Sequence, residues 1–241
     1  MNKQSPVLLA IVIAMFNEEV EAKRCVQTVL QYCKTIPAIQ LIVINDGSTD
    51  GTRKILEHCR KETHNAFRVV THHTNLGYGA ALRTGVTEAR EIRAAYTLFM
   101  DADLTNHPRY IKDFVKVIPL KYDCVKASRF IDGGKMIGVP LYRQMISYCG
   151  NLFARLCFRL PIHDYTNGFR MIKTDILVQI PYTMNDFSVL LEEMYWLKKL
   201  HARLTEIPTI LTSRVVSTSH FFYRKELLLQ YLTFALKSIR I

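Results

Sequence analysis

Two carboxylates stand two residues apart, directly after an apolar segment. Tyr96–Met100 has the length and composition of a buried strand, and Asp101 and Asp103 follow it. Side chains at positions i and i+2 of a strand share a face, so both carboxylates would face one cleft. Close carboxylates repel each other unless a proton or a cation lies between them, and a hard divalent metal ion is the natural partner. The alternative is structural: a strand that ends in Asp, with Asn106 as the N-cap of the next helix.

Two further polar loops follow apolar segments of strand length. Val7–Met15 leads into Phe16–Glu19, and Gln40–Ile44 leads into Asn45–Thr52. Segments with helical periodicity separate the strands, and this βαβαβαβ pattern predicts an α/β fold with a doubly wound, mostly parallel sheet. Ligands of such sheets bind at the carboxyl ends of the strands, so all three loops should face one crevice. Because acidic loops are poor direct phosphate cradles, we expect phosphates to bind there through a metal and a nucleoside to bind through Asp46.

The charge of the chain is uneven. Its 241 residues carry a net charge of +11, of which residues 1–120 contribute +3 and residues 121–241 contribute +8. The second half should therefore meet an anionic partner: phosphates, a lipid surface or nucleic acid. We expect no nucleic acid, because the basic residues are interleaved with a sheet core and no aromatic stacking platform is evident.

Cysteine usage indicates a reducing compartment. The six cysteines show no CxxC spacing, so they predict no zinc site. His72 and His73 also lack zinc-site spacing and are expected on a loop surface. No signal peptide and no apolar run of about 20 residues is visible, so we expect no membrane-spanning helix. Arg224–Arg240 is amphipathic and would either pack on the domain or lie on a membrane surface.

The ordered motifs resemble those of inverting family 2 glycosyltransferases of GT-A fold. These motifs are Phe-Asn-Glu at 16–18, Asn-Asp-Gly-Ser-Thr-Asp-Gly-Thr at 45–52, Asn-x-Gly-x-Gly-x-Ala at 75–81 and Asp-Ala-Asp at 101–103. Later segments are similar to those of the dolichol- and polyprenyl-phosphate mannose synthases. These segments are Ser128–Gly134, Arg143 with Ser147, Asp164–Arg170, and Glu206–Pro208 followed by Arg214.

This resemblance implies a Rossmann-like nucleotide-diphospho-sugar transferase domain over residues 1–220, followed by a C-terminal amphipathic helix at 221–241. It implies transfer of a hexose, mannose before glucose, from a GDP- or UDP-hexose to a polyprenyl or dolichyl phosphate with inversion. It also implies a divalent metal, Mg²⁺ or Mn²⁺, and a peripheral position at the cytoplasmic face of a membrane.

The resemblance also implies roles for individual residues. The nucleotide-sugar would be bound by Ala14, Phe16, Glu18, Asp46, Asp50, Asp101, Ala102 and Asp103. The acceptor phosphate would be bound by Arg129, Arg143, Ser147 and Arg214. Asp101, Asp103 and Arg129 would be catalytic, and Asp101 and Asp103 would bind the metal. Thr105 stands where the family has Gln as a further metal ligand, and the family's late Arg-x-x-Gly-x-Ser-Lys pattern lacks its Gly and Lys at 214–220.

Several alternatives remain open from the sequence. Asp46 and Asp50 could be turn and N-cap residues. A glycosyltransferase that acts on a saccharide or protein hydroxyl would need a carboxylate base, for which Asp164, Glu192 and Glu193 are the candidates. However, Lys198 and Lys199 lie near the two glutamates on one predicted helix, so a solvated helix face is an equal explanation for them. A catalytically inactive scaffold relative is the last alternative.

Overall fold

A computed structural model of the chain describes residues 7–213 and 225–241. Its strands are β1 (Leu9–Met15), β2 (Ile39–Asn45), β3 (Phe67–Thr71), β4 (Tyr96–Phe99), β5 (Cys124–Ser128), β6 (Lys135–Ile137), β7 (Arg170–Lys173), β8 (Leu204–Pro208) and β9 (Ile210–Thr212). Its helices are α1 (Ala22–Cys33), α2 (Thr52–Glu62), α3 (Tyr78–Glu91), α4 (Ile111–Val117), α5 (Leu141–Phe158), α6 (Thr174–Leu177), α7 (Val189–Lys199) and α8 (Lys225–Ile239).

Seven of the strands form one sheet in the order β3-β2-β1-β4-β7-β5-β8. The β1 strand pairs in parallel with β2 and β4, β2 pairs in parallel with β3, and β5 pairs in parallel with β8. Only β7 is antiparallel to its neighbours, β4 and β5. The prediction of an α/β fold with a mostly parallel central sheet is therefore confirmed. A small second sheet pairs β6 with β9.

The central strands are buried on both faces, which explains their continuous apolar sequences. Every residue of β1 except Ala14 is fully or almost fully buried, and the sheet separates two apolar clusters. On one face, α3 lies very close to β1. A Cβ at Gly85 would come within 2.2 Å of the Val12 side chain, so only glycine fits at this contact.

The register of the parallel strands brings their following loops to one edge. Met15 lies opposite Asn45 in the β1–β2 pair, and the Asp46 N–H donates to the Met15 carbonyl at 2.8 Å. The polar loops after β1 and β2 therefore begin at the same level. The loop after β4, which holds Asp101 and Asp103, begins beside them because β4 is the other neighbour of β1.

A charged pair lies inside the core, and the sequence pattern did not predict it. The guanidinium of Arg170 binds the carboxylate of Glu193, both side chains are fully buried, and the guanidinium lies 4.3 Å from the centre of the Phe99 ring. Burial by itself would lower the pKa of Arg170, but Glu193 raises that pKa above its ordinary value. Glu192 is buried too, and it accepts the N–H groups of Thr183 and Met184 at 2.8 and 3.0 Å. The interpretation of the two glutamates as a solvated helix face is therefore wrong.

The C-terminal helix α8 packs against α5 and α7. Phe234 and Ala235 on its inner side are buried and belong to the larger core cluster. Its outer side carries exposed apolar residues, among them Leu229, Leu232 and Leu236. Within residues 7–213 and 225–241, no helix combines the length and the apolar composition that crossing a bilayer requires.

We expect the fold to require both partners of the Arg170–Glu193 pair, because removal of one partner leaves a buried charge uncompensated. Glu193→Ala leaves a buried guanidinium without its carboxylate, which should lower the free energy of unfolding by about 3–5 kcal/mol. Glu57→Ala is the matched control, because Glu57 pairs with Arg53 on an exposed helix surface and should cost less than about 1 kcal/mol. Urea denaturation measures both values. Equal losses in the two variants would contradict the assignment.

Candidate active site

The loops after β1 and β2 are joined by side-chain hydrogen bonds. The N–H of Asn17 donates to Ser48 Oγ at 3.0 Å, and the N–H of Glu18 donates to Thr52 Oγ1 at 2.9 Å. The carboxylate of Asp50 accepts the N–H groups of Thr52 and of the residue after Glu18, at 3.0 and 3.1 Å. These bonds outweigh burial and lower the pKa of Asp50. Asp50 thus has the turn role that the sequence left open, and it also fixes the backbone of the residue after Glu18.

Asp46 is nearly buried and fixes the loop that follows β3. Its two oxygens accept the N–H groups of Leu76 and Gly77 at 3.0 and 2.9 Å, and Nδ1 of His72 lies 2.7 Å from Oδ1. The other ring nitrogen of His72 lies 2.9 Å from Thr84 Oγ1. A carboxylate held by three donors has a defined direction at the end of β2. The expectation that His72 lies on a loop surface is wrong.

Asp103 is supported by the residue that the sequence proposed as a further metal ligand. The hydroxyl and the N–H of Thr105 both donate to Asp103 Oδ1, at 2.8 and 3.0 Å. Arg24 lies on the same side, 3.5 Å from the Asp103 carbonyl, and pairs with Glu21. The hydroxyl of Thr105 therefore contacts the carboxylate of Asp103, so Thr105 orients that group.

Asp101 lies against the turn formed by residues 164–170. A Cβ at Gly168 would meet both carboxylate oxygens of Asp101 at 3.2 Å and the hydroxyl oxygen of Tyr78 at 3.3 Å. Burial and the neighbouring Asp101 raise the pKa of Tyr78. Tyr78 also stacks on Phe187, with ring centres 4.6 Å apart. The carboxylate of Asp101 is thus confined by a glycine and a tyrosine from two other elements.

The donor set at this edge suits a hard divalent cation. Asp101 and Asp103 supply carboxylate oxygens, which Mg²⁺ and Mn²⁺ prefer. No group of three or more His, Cys, Asp or Glu side chains in the described part of the chain could hold a metal by itself. A cation bound here would need oxygens from a ligand, which is the usual arrangement for Mg²⁺ held by one or two carboxylates and a substrate phosphate.

Arg129, at the end of β5, is held by a buried carboxylate. Its Nε and Nη2 donate to the two oxygens of Asp164 at 2.7 and 2.8 Å, and Nη2 also donates to Thr166 Oγ1 at 3.0 Å. Burial by itself would raise the pKa of Asp164, but the charge and hydrogen bonds of Arg129 lower it below its ordinary value. This bidentate pair fixes the plane of the guanidinium.

The other residues proposed for the acceptor phosphate are only partly brought together. Two intermediate residues connect Ser147 to Arg129. The side-chain amide of Asn151 donates both to the Ser147 carbonyl and to Thr166 Oγ1, and this same Oγ1 accepts from Arg129. Arg143 is exposed in the first turn of α5, where its Nε donates to the hydroxyl of the preceding Tyr142. Arg214 lies outside the described residues.

The remaining nucleotide-site residues proposed from the sequence lie at the same edge of the sheet. Ala14 belongs to β1 and Phe16 follows that strand, and both are partly buried. Ala102 is buried between the two aspartates. Whether these residues contact a nucleotide stays a prediction.

A pocket of about 500 Å³ lies between Arg129 and α5. Its polar lining comes from Arg129, Lys135 and Gln144, and the rest is apolar or aromatic. The other lining residues are Phe130, Met136, Ile137, Met145, Tyr148 and Cys149. The pocket can therefore take a ligand with an anionic end and an apolar body.

Sequence reasoning missed a buried lysine that supports the turn. Lys126 of β5 is fully buried, and its Nζ donates to the carbonyls of Tyr165 and Asn167 at 3.1 and 2.9 Å. Burial and the nearby Arg170 lower the pKa of Lys126 to about 8. The available signal was a lysine inside an otherwise apolar strand, which requires a buried partner.

The comparisons agree with the fold. Residues 10–180 match the domain described as Glycosyl transferase family 2, and the chain belongs to that family. The chain is 26% identical over 178 residues to the polyprenol monophosphomannose synthase of Mycolicibacterium smegmatis, an alignment that covers 73% of this chain and 65% of that enzyme. It is 27% identical over 187 residues to the undecaprenyl-phosphate mannosyltransferase of Micrococcus luteus, covering 76% of each. The prediction of a family 2 glycosyltransferase is confirmed.

Solved structures show the same GT-A fold. Glucosyl-3-phosphoglycerate synthase of Mycobacterium tuberculosis, in complex with phosphoglyceric acid, superposes with a TM-score of 0.71 at 17% identity, covering 97% of this chain and 80% of that one. A mannosyltransferase of Pyrobaculum calidifontis, in complex with GDP-Man and Mn²⁺, superposes with a TM-score of 0.64 at 15% identity, covering 98% and 65%. The GT-A prediction is therefore confirmed as well.

We expect the stability effect of Arg129 to depend on pH. The native pKa of Asp164 is lowered, so the pair stabilises the fold above the unfolded pKa of about 3.9 and loses this effect as the pH falls through the native pKa. Arg129→Met should lower the free energy of unfolding by about 3–5 kcal/mol at pH 7. The loss should shrink towards pH 4, because the variant raises the pKa of Asp164.

Urea titrations between pH 7 and pH 4 measure this dependence. Arg53→Met, at an exposed helix position, is the control and should show a small loss that does not change with pH. A loss for Arg129→Met that stays constant over this range would contradict the proposed coupling to Asp164.

Proposed function

We propose that this glycosyltransferase moves a hexose, mannose before glucose, from a GDP- or UDP-hexose to a polyprenyl or dolichyl phosphate, with inversion and with the help of Mg²⁺ or Mn²⁺. The observation that carries the proposal is the turn from Asp164 to Arg170. At one end of the turn Asp164 orients Arg129 beside a largely apolar pocket, and in its middle Gly168 lies against Asp101. The proposed donor site and the proposed site for an amphiphilic phosphate would therefore share one element of the fold. The names of the two relatives from Mycolicibacterium and Micrococcus support this choice of acceptor.

The donor would lie across the ends of β1, β2 and β4. The Glu18 N–H donates to Thr52 Oγ1, and the Asp46 carboxylate accepts two backbone N–H groups. Both residues are therefore fixed, and they would orient the nucleoside. Asp101 and Asp103 would hold the divalent cation. When bound, this cation would offset the negative charge that develops on the departing nucleoside diphosphate. Thr105 would keep the Asp103 carboxylate in position through its two hydrogen bonds.

The acceptor phosphate would need to be positioned, but it would need no general base to remove a proton. A phosphate monoester has a second pKa of about 6, so at neutral pH the lipid phosphate has largely lost its second proton. The guanidinium of Arg129 would bind it, and Arg143, Ser147 and Arg214 would complete this site. A phosphate oxygen would attack the anomeric carbon from the side opposite the leaving diphosphate, which inverts the anomeric configuration.

The buried carboxylates disfavour the alternative of a hydroxyl acceptor. Such an acceptor needs a carboxylate base, and the sequence offered three candidates. Asp164 is bound by Arg129, Glu193 is bound by Arg170, and Glu192 accepts two backbone N–H groups of residues 183–184. All three are committed to structure, so none is placed to accept a proton. The lipid phosphate also fits the positive second half of the chain and a peripheral position at the cytoplasmic face of a membrane.

A donor and acceptor panel tests the proposal. The protein is incubated with Mn²⁺ or Mg²⁺, with GDP-mannose, UDP-glucose and related donors, and with a polyprenyl phosphate; mass spectrometry then detects the glycolipid. We expect product that requires the metal, and at least a hundredfold loss in Asp103→Ala. Asp113→Ala, at the surface of α4, is the control and should keep full activity. Product on a saccharide hydroxyl but not on the lipid phosphate would favour the alternative, and no product on any acceptor would favour the scaffold.

We expect Gly168 to be required for donor binding and not for folding. In Gly168→Ala the new methyl group stands 3.2 Å from the Asp101 oxygens, so this carboxylate must move. Titration calorimetry should show at least a fivefold weaker Mn²⁺-dependent binding of the nucleoside diphosphate, while the melting temperature changes little.

Gly150→Ala is the matched control, since a Cβ there meets no atom within 4 Å. It should bind the nucleotide like the wild type and gain slightly in stability, because alanine suits a helix better than glycine. Unchanged nucleotide binding in Gly168→Ala would show that this glycine does not constrain the donor site.

A further inference from the structure

The outer face of α5 is apolar along its whole length. Its large apolar side chains on this face are between 41% and 71% exposed. They are Leu141, Tyr142, Met145, Ile146, Tyr148, Leu152, Phe153 and Leu156. Leu141, Met145, Leu152 and Leu156 recur at helical spacing and therefore form one stripe. The opposite side of α5 is buried in the core through Ala154, Cys157 and Phe158.

This distribution differs from that of an ordinary surface helix. A helix that packs on a core normally turns a polar face to water, whereas a helix that is apolar all round is normally covered on all sides. The exposed stripe on α5 is a contiguous apolar patch of the kind that marks a binding surface. Something apolar should therefore cover it in the working protein.

Charges around the stripe indicate what covers it. Between Asp132 and Asp164 the chain contains Lys135, Arg143, Arg155 and Arg159 and no acidic residue. All four basic residues are exposed. An apolar stripe in a segment whose charges are all basic matches the surface of a bilayer that contains anionic lipids, where acyl chains lie beneath negative head groups. A symmetric second copy fits less well, since an isologous contact would bring these positive charges against themselves.

The adjoining helix and pocket extend this surface. The helix α8 packs against α5 and exposes Leu229, Leu232, Leu236 and Ile239, with Lys237 and Arg240 beside them. The pocket beside Arg129 is lined by α5 itself, through Met145, Tyr148 and Cys149. Met145 and Tyr148 also belong to the exposed face, so the apolar surface continues from the outside of α5 into the pocket.

We propose that the outer face of α5, together with the outer face of α8, inserts into the head-group region of an anionic phospholipid bilayer. The stripe of α5 lies at the boundary between the head groups and the acyl chains, and the basic residues contact the lipid phosphates. On the proposed function, the pocket beside Arg129 then opens at the bilayer surface, and a polyprenyl phosphate enters it without leaving the lipid. Binding to the bilayer itself requires neither donor nor acceptor.

Vesicle sedimentation tests the surface. Wild-type protein is mixed with vesicles of phosphatidylcholine alone or of phosphatidylcholine with phosphatidylglycerol, without any substrate. We expect wild type to sediment with the anionic vesicles, and the double variant Leu152→Glu/Leu156→Glu to bind them at least tenfold more weakly. Leu120→Glu is the matched control, because Leu120 lies away from α5 and is 59% exposed, whereas Leu152 and Leu156 are 44% and 66% exposed. It should bind like the wild type.

A second variant separates charge from apolar contact. Arg155→Gln keeps the stripe, so it should still bind anionic vesicles but with a weaker dependence on salt. Circular dichroism shows that each variant is folded. If wild type does not sediment with anionic vesicles, or if the Leu152→Glu/Leu156→Glu variant sediments as well as the wild type, the proposal is overturned. A wild-type dimer in light scattering that the double variant converts to a monomer would assign the face to a second copy and would also overturn it.

Activity assays separate this inference from the proposed function. With a short-chain prenyl phosphate in solution, we expect wild type and the Leu152→Glu/Leu156→Glu variant to have equal turnover. With a long-chain polyprenyl phosphate in anionic vesicles, the variant should be at least tenfold slower. If neither acceptor is used while wild type still binds vesicles through α5, the proposed function fails and the membrane surface stands. Equal loss with both acceptors would show that the variant damages the active site, and the activity argument for this surface would fail.

Discussion

The bidentate ion pair between Arg129 and Asp164 is the interaction on which the site depends. It joins the end of β5 to the start of the 164–170 turn across 35 residues of sequence. Lys126 holds the middle of the same turn through two carbonyls, and Arg170 at its end is held by Glu193. Three basic side chains thus fix one short turn. Removing charges from water is costly, so this arrangement is stable only because each group has several partners.

The position of the turn explains why such a costly network is retained here. The turn is the element that contacts both halves of the site: the guanidinium of Arg129 on one side and the carboxylate of Asp101 on the other. A displacement of the turn would change the distance between the proposed donor and acceptor sites, and reactions that depend on positioning lose rate steeply with small displacements. Loops with only surface contacts would not give this precision. The buried charges therefore serve the geometry of the site more than the net stability of the fold.

The sequence predicted the apolar strands, the parallel sheet and the edge where the acidic loops meet, because these follow from local composition and periodicity. It did not predict β7, since this strand begins with Arg170, a residue typical of surfaces. The interpretation of Glu192 and Glu193 as part of a solvated helix face was wrong for the same reason. Whether a charge is buried depends on its partner, and the partner of Glu193 lies 23 residues away in sequence. His72 was missed in the same way, because its partner Asp46 lies 26 residues before it.

The positive charge of the second half divides into two sets with different physical roles. Lys126 and Arg170 lie inside the protein with their partners, so they add little to the field outside. Arg129 lines the pocket, where Asp164 offsets much of its charge. The exposed set surrounds the apolar face of α5 and includes Arg155 and Arg159. A net charge read from sequence cannot separate these sets, although it does predict that this half of the chain meets something anionic. Only the exposed set can attract a partner from solution, and its position beside an apolar helix face limits that partner to one with both anionic and apolar parts. A phospholipid surface and a polyprenyl phosphate have this chemistry in common, so one basic and apolar face would suit both the membrane and the acceptor.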